Sequence, residues 1–426
     1  MTKLVSVLKN GLCLATDYVP SAYSVSVGLW LPIGSASENL GNSGLSHFYE
    51  HIVFKGTKNR SAFQIASEIE DLGGNLNAYT SREVTCFYIS IANEHLQTAI
   101  SVLADLAMEP KLSKADFEKE KSVVLEEIRS VEDNPEELSD DFFHKAHFKD
   151  CGYELPIAGS LDSVQNLKIS EIHKRQKYIL EECPILLSVA GAAKHNELLD
   201  ICDQAFFKKK GAANMPNTAF CASSGTELLK KHVQQATVLW GTSCSGVSAK
   251  EARALQIFNQ AFGYGFTSRL FQNIREKHGL VYSINSSFET SIQRAIDKKN
   301  SAMFQISFAA EPQNLERVAD LIRKEMKRFL RDGFSNGELE RAKSGIIGYS
   351  KLLKDSLSSR QSHLARQVIR HGHALNSKEN EIEIKKMEAD YIEECVRNLA
   401  KNYPWTFAAI VPKKFHCCLA KDLHSV

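Results

Sequence analysis

The chain has 426 residues, 43% hydrophobic and 24% charged, with 52 Lys plus Arg against 51 Asp plus Glu for a formal charge of +1. That length exceeds one ordinary domain, and the globular composition excludes disordered and fibrous classes. The charge balance leaves no global field to gather nucleic acid or an anionic membrane, so neither is an expected partner.

The residues up to Pro20 show no long apolar run and no small-residue cleavage site, so no secretory signal is expected. Nowhere does an apolar run reach the roughly 18 residues a spanning helix needs. Ser24–Leu31 and Thr85–Ala92 are rich in β-branched and aromatic residues and are predicted strands. Helical periodicity predicts helices over 62–72, 96–107 and 113–131. The stretch 208–224 opens with Lys208-Lys209-Lys210-Gly211 and lacks periodicity, which predicts a linker over 211–230 between halves 1–210 and 231–426. Ten cysteines lie scattered with no C-x-x-C pair, as free thiols in a reducing compartment do. The expected location is the cytoplasm, with the mitochondrial matrix as the alternative.

Sliding the second half on the first by 222 positions lays Ser46–Ile52 on Ser268–Ile274. The same shift pairs Ser113 with Ser335, Phe117 with Leu339, Lys121 with Lys343 and Glu127 with Tyr349. Ile89 to Ala92 match Ile306 to Ala309 at a shift of 217, as loop insertions allow. The chain therefore reads as one α/β unit present twice, with the His and Glu residues kept only in the first copy.

His47-Phe-Tyr-Glu50-His51 is the sharpest local motif. On a helix His47 and His51 are i and i+4, so both imidazoles leave one face at the spacing two zinc ligands need. Glu50 lies beside them, placed to take a proton from water at the metal without ligating it. A catalytic site needs a third protein ligand, and the helix beginning after Ser113 offers one. Glu120 and Glu127 flank Val124 on its apolar face, whereas Glu126 shares a solvent face with Lys119 and Ser122. An acid on an inward face is costly unless paired or coordinated. Glu127 is the expected third ligand, and Glu120 the partner that orients a histidine. The pairs His144/His147 and His371/His373 lack spaced carboxylates or thiols and receive no role.

Taken together the sequence resembles the inverted-motif zinc metallopeptidases: the pitrilysin, insulysin and mitochondrial processing peptidase family. In that family H-x-x-E-H is followed by a ligand Glu about 76 residues on, and Glu127 is 76 residues past His51. Asn10-Gly11-Leu12, Gly34-Ser35 through Glu38, Phe54-Lys55-Gly56-Thr57, Leu72-Gly73-Gly74, Arg82-Glu83, Pro156-Ile157 with Gly159, and Ser268 to Tyr282 carry the likeness over nearly the whole chain. Tyr49 departs from the commoner Leu. Gly263-Tyr264-Gly265 is less glycine-rich than the loop of non-catalytic processing subunits, so the chain resembles the catalytic kind.

The resemblance implies an α+β fold: two homologous α/β units, each a mainly antiparallel sheet packed with helices, enclosing a cleft. It implies one Zn²⁺ per chain on His47, His51 and Glu127, with Glu50 as general base in hydrolysis of small or unfolded peptides. Arg275 and Tyr282, seven residues apart, are expected to bind the substrate carbonyl from the second half. Asn77-Ala78-Tyr79-Thr80 is expected to form the edge on which a peptide adds as an extra strand. A homodimer is implied. The competing expectations are an inactive structural or assembly subunit and a catalytic subunit that needs a different partner chain.

Overall fold

The computed structural model describes residues 3–211, 220–293 and 300–415. One sheet contains β1 (Lys3–Val7), β2 (Cys13–Tyr18), β3 (Ser24–Leu31), β4 (Asn75–Thr80), β5 (Thr85–Ala92) and β6 (Leu186–Gly191), in the order β1-β2-β6-β3-β5-β4. The other contains β7 (Gly225–Lys231), β8 (Ala236–Val247), β9 (Val281–Thr290), β10 (Asn300–Ala310) and β11 (Trp405–Pro412), in the order β7-β11-β8-β10-β9. Apart from β1 the two orders are the same. β2 runs parallel to β6 as β7 does to β11, and every other pairing is antiparallel. The fold is α+β and duplicated, as the sequence implies.

The predicted strands keep their bounds because their side chains are covered. All of β3 after Ser24 is buried, as befits a central strand with both faces packed. The helix predicted over 62–72 stops at Glu70, because the chain turns at Gly73, whose φ of 72° favours glycine.

Two expectations change. β7 begins at Gly225, inside the predicted linker, so non-periodic sequence there ends in a strand. Residues 212–219 of that linker lie outside the described residues. The 222-residue register also mislays the motif. Between β3 and β4 the chain makes the helices Leu45–Val53 and Ala62–Glu70; between β8 and β9 it makes the helix Ala249–Phe262 and the π-helical turn Phe271–Glu276. Leu45–Val53 packs on Lys114–Asp133 just as Ala249–Phe262 packs on Glu338–Leu352. The motif helix therefore corresponds to Ala249–Phe262, and Ser268–Ile274 belongs with the second helix before the edge strand. Similar amphipathic helices align by pattern alone, and only packing tells them apart.

The halves also exchange helices. Pro135–His147 leaves the first half to pack on β8 and β11, while Leu357–His371 of the second half packs on β2, β3 and β6. His147, fully buried, bonds Ser243 Oγ and Thr406 Oγ1 at 2.9 Å each. In return Arg360 donates to Asp17 Oδ1 at 2.7 Å, and Gln361 reaches Ser188 across Gly28, where any Cβ would collide with the Gln361 amide.

Candidate metal centre

The motif helix is fixed at its start by three long-range contacts. The buried Glu38 carboxylate accepts from the backbone N–H groups of Gly44 and Ser46 at 2.7 and 2.6 Å, which satisfies free donors at the helix N-terminus. Gly44 has φ 91°, and a Cβ there would press into Ala158 O. Arg175 donates to Ser46 Oγ at 3.1 Å. Tyr49 points away from the histidines and donates to Gln176.

On the opposite side the imidazoles face the carboxylate helix, Lys114–Asp133. His47 Nε2 lies 3.4 Å from Glu127 Oε1, and His51 Nε2 lies 3.3 Å from Glu127 Oε2. One ligand atom from each residue falls within 4.8 Å of the others. Glu120 Oε1 is 3.0 Å from His51 Nδ1, and Glu120 Oε2 is 2.7 Å from Lys55 Nζ. Glu120 is thus held between two cations, which directs the His51 Nε2 electron pair at the cluster when the ring is neutral. The burial of the two acids differs from expectation. The side chain of Glu120 is 3% exposed, whereas that of Glu127 is 42% exposed, at the margin of the apolar face. Glu126 is solvent-facing and pairs with Arg129.

The electrostatics gather positive charge at this point. Burial alone would lower the pKa of His51, yet Glu120 and Glu127 raise it to about 9. Hydrogen bonds from His47 and His51 hold the Glu127 carboxyl far below the usual carboxylate range. Burial pushes Glu120 up, but His51 and Lys55 prevail and lower it. A divalent cation meets the same field and competes with the His51 proton, so binding at neutral pH releases that proton. His47 Nδ1 is buried with no protein partner among the described residues.

Glu50, half-buried, accepts a hydrogen bond from Thr80 Oγ1 at 2.6 Å. Thr80 ends β4, the edge strand of the first sheet. Arg275 and Tyr282 stand elsewhere. The guanidinium lies 4.6 Å from the Phe271 ring centroid and 5.8 Å from that of Tyr282, which is 82% exposed on β9, the edge of the second sheet. Among the described residues their contacts are with each other, Phe271 and Glu276, not with the His–Glu cluster. Sequence reasoning assigned no role to Glu38, Lys55 or Arg175. Glu38 and Lys55 lie in segments that resemble the family; Arg175 gave no local signal.

Two imidazoles and a carboxylate on facing helices, in a duplicated α+β scaffold, define the class of protein: a two-half chain with a three-ligand metal centre in one half. Residues 14–160 match the family model for insulinase (peptidase family M16), and residues 177–346 match that for the peptidase M16 inactive domain. The chain is 31% identical over 373 residues to an uncharacterized zinc protease of Mycobacterium leprae, covering 86% of this chain and 82% of that protein. It is 30% identical over 357 residues to the uncharacterized zinc protease YmxG of Bacillus subtilis, covering 83% and 85%. A protease from Helicobacter pylori shares the fold with a TM-score of 0.87 at 20% identity, covering 96% of this chain and 99% of that one. The chain belongs to the insulinase family, peptidase family M16. The H-x-x-E-H cluster lies inside the first matched segment.

Proposed function

We infer that the chain is a zinc-dependent endopeptidase or oligopeptidase, with one Zn²⁺ held by His47, His51 and Glu127. The convergence of two imidazole nitrogens on the two Glu127 oxygens carries this reading. The donor set suits zinc, which takes imidazole and carboxylate ligands and keeps a position open in catalytic sites. When bound, zinc polarises a peptide carbonyl and makes water acidic enough to attack it. Glu50 takes the proton of that water and returns it to the departing amine, while the Thr80 hydroxyl fixes one carboxylate oxygen.

The outer edge of β4 binds the peptide backbone as an added strand, with Asn77, Ala78, Tyr79 and Thr80 beside it. Arg275 and Tyr282 serve as donors to the substrate carbonyl from the edge of the second sheet, across the cleft. The chain works as a homodimer in the cytoplasm in this reading; cysteines without a disulfide framework suit a reducing compartment. Among the described residues no helix is long and apolar enough to cross a membrane.

Zinc content and cleavage of a mixed peptide library test the reading together. The wild type is expected to carry near-stoichiometric zinc and to cleave. Glu50→Gln is expected to keep the zinc and lose roughly 10²- to 10⁴-fold in rate. A Glu50→Gln variant with undiminished cleavage would sink the assignment.

A further inference from the structure

A strand added to β4 continues the pleat, so its side chains alternate between the two faces of the first sheet. β4 labels those faces. Leu76 and Ala78 pack on the core that contains the motif helix, and the Thr80 hydroxyl meets Glu50 on that side. Tyr79 turns to the other face. Its ring meets Trp30 edge-on at 6.1 Å and Tyr88 at 6.3 Å, and it packs with the cluster that holds Leu364, Ala365, Val368 and Ile369. That face is built by the helix lent from the second half.

The same helix brings cations. Arg360 is buried against Asp17. Arg370 donates to the carbonyls of Ser291 and Thr290 at 2.7 and 2.8 Å. His363 shares a hydrogen bond with Gln367. Arg366 differs: it is exposed and, among the described residues, makes no ion pair with a carboxylate. Its neighbour on the sheet is the Tyr79 hydroxyl; burial raises the pKa of Tyr79, and Arg366 draws it partly back.

We propose that Arg366 reads one side chain of a peptide lying on β4, and that it selects a carboxylate there. The inference rests on the β4 docking described above. A residue of the added strand that projects to the Tyr79 face lies one strand spacing, about 4.8 Å, from β4, within reach of a flexible guanidinium. A carboxylate there pairs with the planar fork of donors, while lysine or arginine is repelled. Tyr79 precedes Thr80, so the subsite falls within about two residues of the bond that Glu50 faces. The second half thus supplies selectivity through a helix it lends, apart from Arg275 and Tyr282.

Peptides that differ only by Glu, Gln or Lys at successive positions around one cleavable bond test the proposal. In the wild type, kcat/KM at one position is expected to favour Glu over Gln by roughly five- to tenfold, with Lys poorest. Arg366→Ala is expected to erase the Glu-over-Gln preference, and Arg366→Glu to turn it toward Lys; thermal melting checks that both variants fold. A wild type indifferent to charge at every position overturns the proposal, as does a preference that survives both substitutions. Fluorescence anisotropy of the same peptides on Glu50→Gln, with and without the Arg366 substitutions, reads the selection without cleavage. Charge-selective binding without wild-type cleavage rejects the peptidase reading and keeps this one, and equal affinities with normal cleavage do the reverse.

Discussion

The two halves share one sheet order but differ in what their facing helices hold. In the first half, Leu45–Val53 meets Lys114–Asp133 through two histidines and two glutamates. In the second, Ala249–Phe262 meets Glu338–Leu352 with Gln260 lying against Gly345, and Tyr349 stands 222 residues past Glu127. The scaffold is the same, so chemistry here depends on a few side chains on one helix pair and not on the fold. The second half keeps other work. It covers the first sheet with Leu357–His371 and receives Pro135–His147 in return.

The largest effect should come from the ligands themselves. His47→Ala or Glu127→Ala is expected to lose bound zinc and all measurable cleavage, whereas Tyr349→Ala at the matching position keeps both. Metal analysis by mass spectrometry decides, and zinc loss in the Tyr349 variant would break the comparison. Next comes the exchange of helices. Residues 1–230 and 231–426 produced separately are expected to be insoluble or molten, because each sheet loses the helix that covers one face, and to recover on co-expression. A soluble, cooperatively melting half would show that the exchange is dispensable.

A smaller change is expected at Glu120. Replacing it with Gln leaves the ligands in place but frees His51 Nδ1 and Lys55 from their charged partner, so zinc affinity should fall roughly 10- to 100-fold. Competition with a fluorescent chelator measures it, and an unchanged affinity would remove Glu120 from the site.

The smallest effect concerns acid. Burial lowers the pKa of His147 to about 4, below the 6.5 of a free histidine. A histidine held neutral contributes stability that is complete above pH 6.5 and is lost as pH falls toward 4. The full loss is on the order of 3 kcal/mol. His147→Gln cannot titrate, so the melting temperature of this variant should fall less steeply over that window than the wild type. Parallel curves would mean that His147 carries no acid sensitivity at the junction.

Much of the candidate site was legible because it is local. His47, Glu50 and His51 sit within one helical turn and a half, and Glu120 and Glu127 share a face by periodicity. The strand bounds were legible for the same reason. The partners of those residues were not. Glu120 meets His51 and Lys55 from the next helix pair, Thr80 meets Glu50 from 30 residues away, and Glu38 caps the motif helix from a preceding loop. None of these contacts repeats with a period that a sequence shows. The repeat register failed for a related reason: two amphipathic helices in each half offer similar patterns, and an alignment without packing chose the wrong pair.

By itself the sequence determined the duplicated α+β design, the metal-binding motif and the family likeness, since each is written in short spacings or in separate local segments. Only the tertiary structure decided which helix of the second half answers the motif helix, that the halves trade helices, and that Arg366 stands over the edge strand. Those facts depend on buried contacts between residues as far apart as Asp17 and Arg360, or Ser243 and His147. Hydrophobic burial and buried hydrogen bonds choose such partners only when whole elements compete for the same face.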